Sequence, residues 1–307
     1  MAVHNGSPFL RTALESVLQQ TFSNFRFLII DDASTDDTRE IICSYDDKRI
    51  TVECLEKNVG QTAALNIGLK LATTPWIARM DDDDFSAPTR FEEQMAALEA
   101  DRSISCLGTH VWIFHNDPLV PQGEFATPLE HLEIKSALLR GSPIVHGSII
   151  VDRAAILDIG GYDEKYREAA DFELYDRLVQ KYLTANLPNK LMGIRQHFNQ
   201  GSRSILALDE VIDICFRRLK SGNYSRHDAA TIRATLSRVY IQRSRYGWRK
   251  NSFLEQSKDL WRAIRVSPNT FIWNLFLVSF FNRFSISRQS RLGSILAWSA
   301  PRFLTGR

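Results

Sequence analysis

"ITVECLEKNVGQTAALNIGLKLATTPWIARMDDDD", residues 50–84, sets two short apolar runs on either side of a segment with helical spacing and ends in four consecutive acids. Ile50 to Glu56 reads as a strand, residues 58–73 as a helix with Ala63, Ala64, Ile67 and Leu71 on one face, and Trp76 to Met80 as a second strand. Neighbouring carboxylates repel one another and resist joint ionisation. Two readings stand for Asp81 to Asp84: a solvated acidic turn, or carboxylates gathered for a divalent cation.

The same rhythm runs on both sides. Residues 7–21 predict an amphipathic helix with Ser7 as its cap and Pro8 at its first position. Phe25 to Ile30 is too short for a helix and ends in acid, and Ser34-Thr35-Asp36-Asp37 then opens another helix. Downstream, "PTRFEEQMAALEAD" reads as a helix and "ISCLGTHVWIF" as a strand. Strands alternating with helices of this length predict an α/β fold, a mostly parallel sheet covered by helices. In such sheets ligands bind outside the carboxyl ends of the strands. Asp31-Asp32 and Asp81 to Asp84 both lie at such ends, so they are expected to converge on one crevice. Two acidic clusters on that edge need a cation or hydrogen-bond donors between them to stay ionised.

The chain of 307 residues is 44% hydrophobic and 24% charged, which is globular composition and argues against disorder. Its net charge of +2 hides an asymmetry: residues 1–204 hold 20 Lys and Arg against 30 Asp and Glu, and residues 205–307 hold 18 against 6. The halves therefore carry −10 and +12, with a boundary expected near Gly201-Ser202. Beyond it the pattern turns helical with Arg on the outer faces. Such a basic segment suits nucleic acid, an acidic subunit or an anionic membrane. The four cysteines show no CxxC pairing and are expected to be reduced core residues. No basic-then-apolar segment opens the chain, which makes the cytoplasm the expected location. "TFIWNLFLVSFF", residues 270–281, is shorter than the roughly 20 residues of a membrane span.

Four segments taken together, "AVHNGSPFLRTALESVLQQTFSNFRFLIIDDASTDDT", "NVGQTAALNIGLKLATTPWIARMDDDD", "VHGSIIVDRAAILDIGGYDE" and "AADFELYDRL", resemble the inverting family 2 glycosyltransferases of the GT-A fold. The resemblance spans residues 1–204 as a glycosyltransferase domain and leaves 205–307 as a basic helical extension. It implies a nucleotide-diphospho-sugar donor, a divalent Mg2+ or Mn2+, and transfer to an acceptor hydroxyl with inversion. The residues matching the family's donor loop are Ala2, Val3 and His4, and Asp32 matches an acid that holds the base. Asp32 as an acceptor for an imide N–H favours UDP or dTDP, and a helix-capping role for it stays open. The family's DXD element falls on Asp81-Asp82-Asp83, with the first acid near the ribose and Asp83 on the metal; alternation along an extended chain turns Asp81 and Asp83 to one side. Arg79 lies just upstream, toward the donor or simply on the surface.

The general base matches Asp171, where inverting transfer needs a carboxylate to take the acceptor's proton. The family commonly has Glu-Asp where this chain has Ala170-Asp171, so Glu173 or Glu168 stand as replacements, and a helix-cap role for Asp171 stays open. The resemblance puts His146 on the acceptor side and His197 in a loop that can close over the diphosphate, with Arg203 as a phosphate partner; a structural role for either histidine stays open. A second departure lies at the amino end: family members have a longer apolar run before the loop matched by residues 2–6, so the first strand is expected to be truncated, with Met1 inside the loop.

The expected protein is a metal-dependent glycosyltransferase of cell-surface or cell-wall glycan synthesis. Its acceptor would be a glycan or lipid-linked glycan, with no nucleic acid partner. The extension would dock on the inner face of the cytoplasmic membrane, or equally serve as a lid or oligomer contact. The alternative is an inactive relative that binds a nucleotide or a partner.

Overall fold

The structure, a computed structural model, describes residues 1–197, 204–249 and 253–272. The chain divides into two compact units, one of residues 1–135 and 143–199, the other of 136–142 and 200–307.

The first unit runs β1 (Ala2–Val3), α1 (Leu10–Leu18), β2 (Phe27–Asp31), α2 (Thr38–Cys43), β3 (Ile50–Cys54), α3 (Gln61–Leu71), β4 (Trp76–Ala78), β5 (Phe85–Ser86) and α4 (Arg90–Ala100). There follow β6 (Ile104–Phe114), β7 (Gly123–Phe125), α5 (His131–Leu138), whose residues 136–138 belong to the second unit, a 3-10 turn at His146–Ser148, β8 (Ile150–Asp152), α6 (Arg153–Asp158), α7 (Ala170–Lys181) and β9 (Leu183–Arg195). Strands β1, β2 and β3 are parallel, with Ala2 opposite Ile30 and Phe27 opposite Ile50. A second sheet has the order β4-β8-β6-β9-β5, with β7 paired to β6. In it β6 and β9 are parallel while β4 meets β8 antiparallel, a reversal that the strand-helix rhythm does not announce.

Side chains alternate across a strand, and β2 shows why both faces are covered. Phe27 and Ile29 enter a core with Leu10, Leu14 and Val17 of α1, Ile41 and Ile42 of α2, and Phe91 and Leu98 of α4. Ile30 turns the other way, onto Ala2 and Ala64, under α3. An apolar cavity of about 520 Å³, lined by Met1, Leu28, Leu65, Leu69, Trp76 and Ala78 among others, separates β2 from β4.

Several local expectations change. Ala2 and Val3 are not in a loop: they form β1 and are buried, and Val3 O accepts the Asp32 N–H at 2.8 Å. Helix α1 starts at Leu10 with Phe9 before it and no side-chain cap, and Ser7 lies outside it, its N–H donating to Asp36 Oδ2 at 3.1 Å. On α3 the buried positions are Thr62, Ala64 and Leu69, while Leu71 is exposed at the end of the helix. Cys106 and Cys215 are buried, but Cys43 and Cys54 end α2 and β3 in the open; none of the four forms a disulfide.

In the second unit, α8 (Ile205–Ser221) is capped by Ser204, whose hydroxyl accepts the Ala207 N–H at 3.0 Å, and ends on Gly222 at φ 71°. Two further helices, α9 (Arg226–Arg249) and α10 (Phe253–Val266), follow. Arg243 of α9 holds the buried Asp259 of α10, and Ser237 Oγ donates to Ala263 O at 3.0 Å. Among the described residues no helix is long and apolar enough to cross a membrane. Most of the apolar run 270–281, and Arg203, lie outside the described residues.

Candidate functional site

Two loops at the carboxyl ends of β1 and β2 are laced together by polar residues that would otherwise compete with regular structure. Asn5 N donates to Ser34 Oγ at 3.0 Å, Thr35 N to Asn5 Oδ1 at 2.8 Å, and Gly6 N to Thr38 Oγ1 at 2.9 Å. Asn5 and Ala33 sit at φ 55° and 53°, a left-handed conformation costly for Ala and therefore imposed by this lacing. His4 is exposed above it, with Nδ1 at 2.7 Å from Asp32 O. Both carboxylate oxygens of Asp32 accept backbone N–H groups, Val59 at 2.7 Å and Gly60 at 2.8 Å, which fastens the start of α3 to this edge. Asp31 is held by Arg39 at 2.9 Å.

The four aspartates after β4 point to four different partners. Asp81 is in contact with Arg79, itself only 5% exposed. Burial raises the Asp81 carboxyl and the adjacent guanidinium outweighs it, holding it below the usual range. Asp82 packs on Gly6, where an added Cβ would collide with its Oδ2. Burial, then the charges of Asp83 and Asp81, push it up to about 7. Asp83 Oδ2 lies 2.8 Å from His197 Nε2, and burial plus Asp81 keep its affinity for protons raised despite that partner. Asp84 is 4% exposed, accepts the Arg195 N–H at 2.9 Å, and is raised well above the usual range by burial and its two acidic neighbours.

Arg195, at the end of β9, is the residue that sequence reading missed. Its guanidinium lies 4.7 Å from the Phe9 ring centroid and 4.5 Å from that of Phe114, and Nε donates to Asp83 O at 2.8 Å. It also reaches His115 O at 2.9 Å, so one side chain ties the acidic turn to β6 and to the entry of α1. No local motif marks it, because its partners are backbone carbonyls far away in sequence.

His146 opens the 3-10 turn before β8. Its Nδ1 is 2.8 Å from Tyr175 OH and its Nε2 3.0 Å from Tyr162 OH. Burial, then Arg79, lower it to about 3, so it is a neutral ring donating to one tyrosine and accepting from the other. Gly147 beside it leaves room for the acids: a Cβ there would stand 3.1 Å from Asp84 Oδ2 and 3.2 Å from Asp81 Oδ2.

Asp171 lies in the first turn of α7, half-buried, with Oδ1 accepting the Phe172 N–H at 2.7 Å. Burial pushes it up to about 6 against that hydrogen bond and the Arg79 charge, and it feels the charge of Asp81. Glu173, by contrast, is 1% exposed and bidentate with Arg177, which also donates to Gly161 O at 2.8 Å. Ala170 is buried at the first position of α7.

One edge of the first unit thus collects a laced loop, a run of under-compensated carboxylates and one carboxylate of raised proton affinity. The sequence model described as glycosyl transferase family 2 matches residues 1–160, more than half of the chain. The chain belongs to this family. EpsE of Bacillus subtilis, named as a glycosyltransferase, is 32% identical over 202 residues, 64% of this chain and 71% of its own. The UDP-Glc:alpha-D-GlcNAc-diphosphoundecaprenol beta-1,3-glucosyltransferase WfaP of Escherichia coli is 28% identical over 214 residues, 69% of this chain and 81% of its own. S. aureus TarS, solved with UDP-GlcNAc, superposes with a TM-score of 0.65 at 20% identity, covering 88% of this chain and 81% of that one. The Pyrobaculum calidifontis mannosyltransferase solved with GDP-Man and Mn2+ gives 0.62 at 15% identity, covering 97% and 82%. At those identities the likeness establishes the GT-A fold. The family 2 glycosyltransferase therefore carries Asp32, Asp81 to Asp84, Asp171, His146 and His197 on one unit, with Arg195 as the tie between β9 and the acidic turn.

Proposed function

We propose that this glycosyltransferase moves a sugar from a nucleotide-diphospho-sugar, UDP- or dTDP-linked, to an acceptor hydroxyl with inversion. The observation that carries the reading is the separation of proton affinities along one edge: Asp81 held ionised by Arg79, Asp82 and Asp171 raised to about 7 and about 6. Titratable groups driven apart in this way mark acid and base roles.

The carboxylates fit a hard divalent cation. Among the described residues no group of three or more His, Cys, Asp or Glu is arranged to hold a metal alone. Mg2+ and Mn2+ at such sites take one or two carboxylates and complete their shell with water and phosphate. Asp83 is the carboxylate we assign, flanked by His197, with Asp82 beside the donor loop; the raised proton affinity of both is the repulsion a cation would relieve. When bound there, such an ion would supply charge neutralisation to the departing diphosphate.

The chain's own residues do the rest. His4 and the laced loop of residues 4–7 receive the base and ribose, with Asp32 fixing the adjoining loop through Val59 and Gly60. Asp171 takes the proton of the acceptor hydroxyl as its oxygen bonds to the anomeric carbon and the bond to the diphosphate breaks on the opposite side. Glu173 serves the fold through Arg177. His146, enclosed by two tyrosines, shapes the wall beneath the acids. The UDP-Glc and diphosphoundecaprenol in the name of WfaP support a UDP donor and a lipid-linked acceptor, in cell-surface glycan synthesis.

A panel of nucleotide sugars, screened by ligand-observed binding with and without Mn2+, tests the reading. Cation-dependent binding of a UDP- or dTDP-sugar supports it. Binding without any turnover would favour an inactive relative, the reading that Ala170 invites, and no cation-dependent binding at all would contradict both.

A further inference from the structure

Among the described residues, the outer face of α10 keeps a row of large apolar side chains exposed. Leu254, Trp261 and Ile264 stand at i, i+7 and i+10, within one sector of the helix, and are 71%, 59% and 42% exposed. Lys258 and Arg265, at i+4 and i+11, fall beside them, and the Arg265 guanidinium lies 5.1 Å from the Trp261 ring centroid. The opposite face is already occupied: Asp259 is 3% exposed and paired with Arg243 and Arg262, and Ala263 is fully buried. The one acid near the exposed sector, Glu255, is neutralised by Lys258 at 3.0 Å.

We infer that this face is a peripheral membrane contact that lies flat on an anionic lipid surface. The exposed apolar stripe and the charge together favour that occupant: Leu254, Trp261 and Ile264 suit a lipid boundary rather than a nucleic acid, residues 205–307 carry 18 Lys and Arg against 6 Asp and Glu, and residues 1–204 carry an excess of acid that the same surface repels. A helix of 14 residues is too short to span a bilayer but long enough to bury one apolar stripe at the headgroup boundary. Trp261 places a large ring with a polar N–H at that depth, and Arg265 extends its head to lipid phosphates while its stem and that of Lys258 cover the stripe. The inference stands on α10 and the charge distribution, and holds whether or not the donor and acceptor assignments do.

Vesicle flotation of the full chain tests it without any sugar present. Vesicles of phosphatidylglycerol in phosphatidylcholine are expected to carry the protein up the gradient, and phosphatidylcholine alone to leave it behind. Leu254→Ser with Trp261→Ser is expected to lower the partition by about tenfold or more, and Lys258→Glu with Arg265→Glu to abolish the preference for anionic lipid. Retained thermal unfolding temperature and nucleotide binding in both variants separates a lost contact from a lost fold. The inference is overturned by failure of the wild-type chain to float with anionic vesicles, by equal flotation with neutral ones, or by both folded variants floating as the wild type does.

Discussion

His197 Nε2 stands 2.8 Å from Asp83 Oδ2, so an imidazole from the segment after β9 is the direct partner of the third acid in the run after β4. With Asp82 at about 7 and Asp83 also raised, part of this cluster is protonated near neutral pH. A cation must then displace protons. Calorimetry of Mn2+ and nucleotide in two buffers of different ionisation enthalpy is expected to show proton release near pH 7 that disappears in more alkaline buffer. Binding that weakens as pH falls through about 7 is the accompanying sign.

Asp171→Asn is expected to produce a protein that is both more stable and less active. Raising a carboxyl from its ordinary 3.8 to about 6 means the folded state binds the proton more tightly. The ionised form then costs ~3 kcal/mol above pH 6, a penalty relieved as pH falls from about 6 toward 4. Asn removes the charge and keeps an oxygen for the Phe172 N–H. Thermal unfolding at pH 7 checks the gain, while turnover is expected to drop ~100-fold or more with donor binding intact. Wild-type turnover should fall on the acid side of about 6.

Gly6→Ala pushes a methyl into the position of Asp82 Oδ2 and to 2.7 Å from Val3 Cγ2. The carboxylate can swing away, so the chain folds, but the loop and the acid can no longer pack together. Cation-dependent donor affinity is expected to fall about tenfold or more, at a cost in stability of ~1–3 kcal/mol.

Tyr175→Phe strands His146 Nδ1, whose partner at 2.8 Å is the lost hydroxyl. An unsatisfied buried polar group costs ~1–3 kcal/mol, read as a lower urea midpoint at unchanged slope. Nucleotide binding is expected to persist, since neither ring belongs to the donor loop.

Gly68→Ala is expected to stabilise by ~0.5–1 kcal/mol, because Gly68 is inside α3 and glycine is a poor helix former. Its Cβ would meet Ile30 Cγ1 at 3.5 Å, an ordinary contact, beside the apolar cavity. Activity should not change.

Much of this fold was legible where hydrophobic periodicity acts locally. Strands β2, β3, β4 and β6 and helices α1 to α4 all follow from apolar spacing and turn residues, with ends displaced by a few positions. Strand β9 was not: it contains Pro188, alternates poorly, and its pairing with β6 slips in register at Thr109 and His110, so its neighbour rather than its own pattern makes it a strand. For the site, the acids were visible as residues but not their division of labour. Strict alternation predicted Asp81 and Asp83 on one side. The turn after β4 instead sends Asp81 to Arg79, Asp82 to Gly6 and Asp84 to the Arg195 N–H. Arg195 was invisible because its work is done through carbonyls that only the folded chain brings within reach.

The most direct test of the central claim is release of nucleoside diphosphate from a UDP- or dTDP-sugar in the presence of an acceptor, followed with and without Mn2+ for the wild type, Asp83→Ala and Asp171→Ala. The account predicts release that needs the cation, is lost with Asp83, and is lost with Asp171 although that variant still binds the donor. Full turnover in both variants, or release indifferent to the cation, would contradict it.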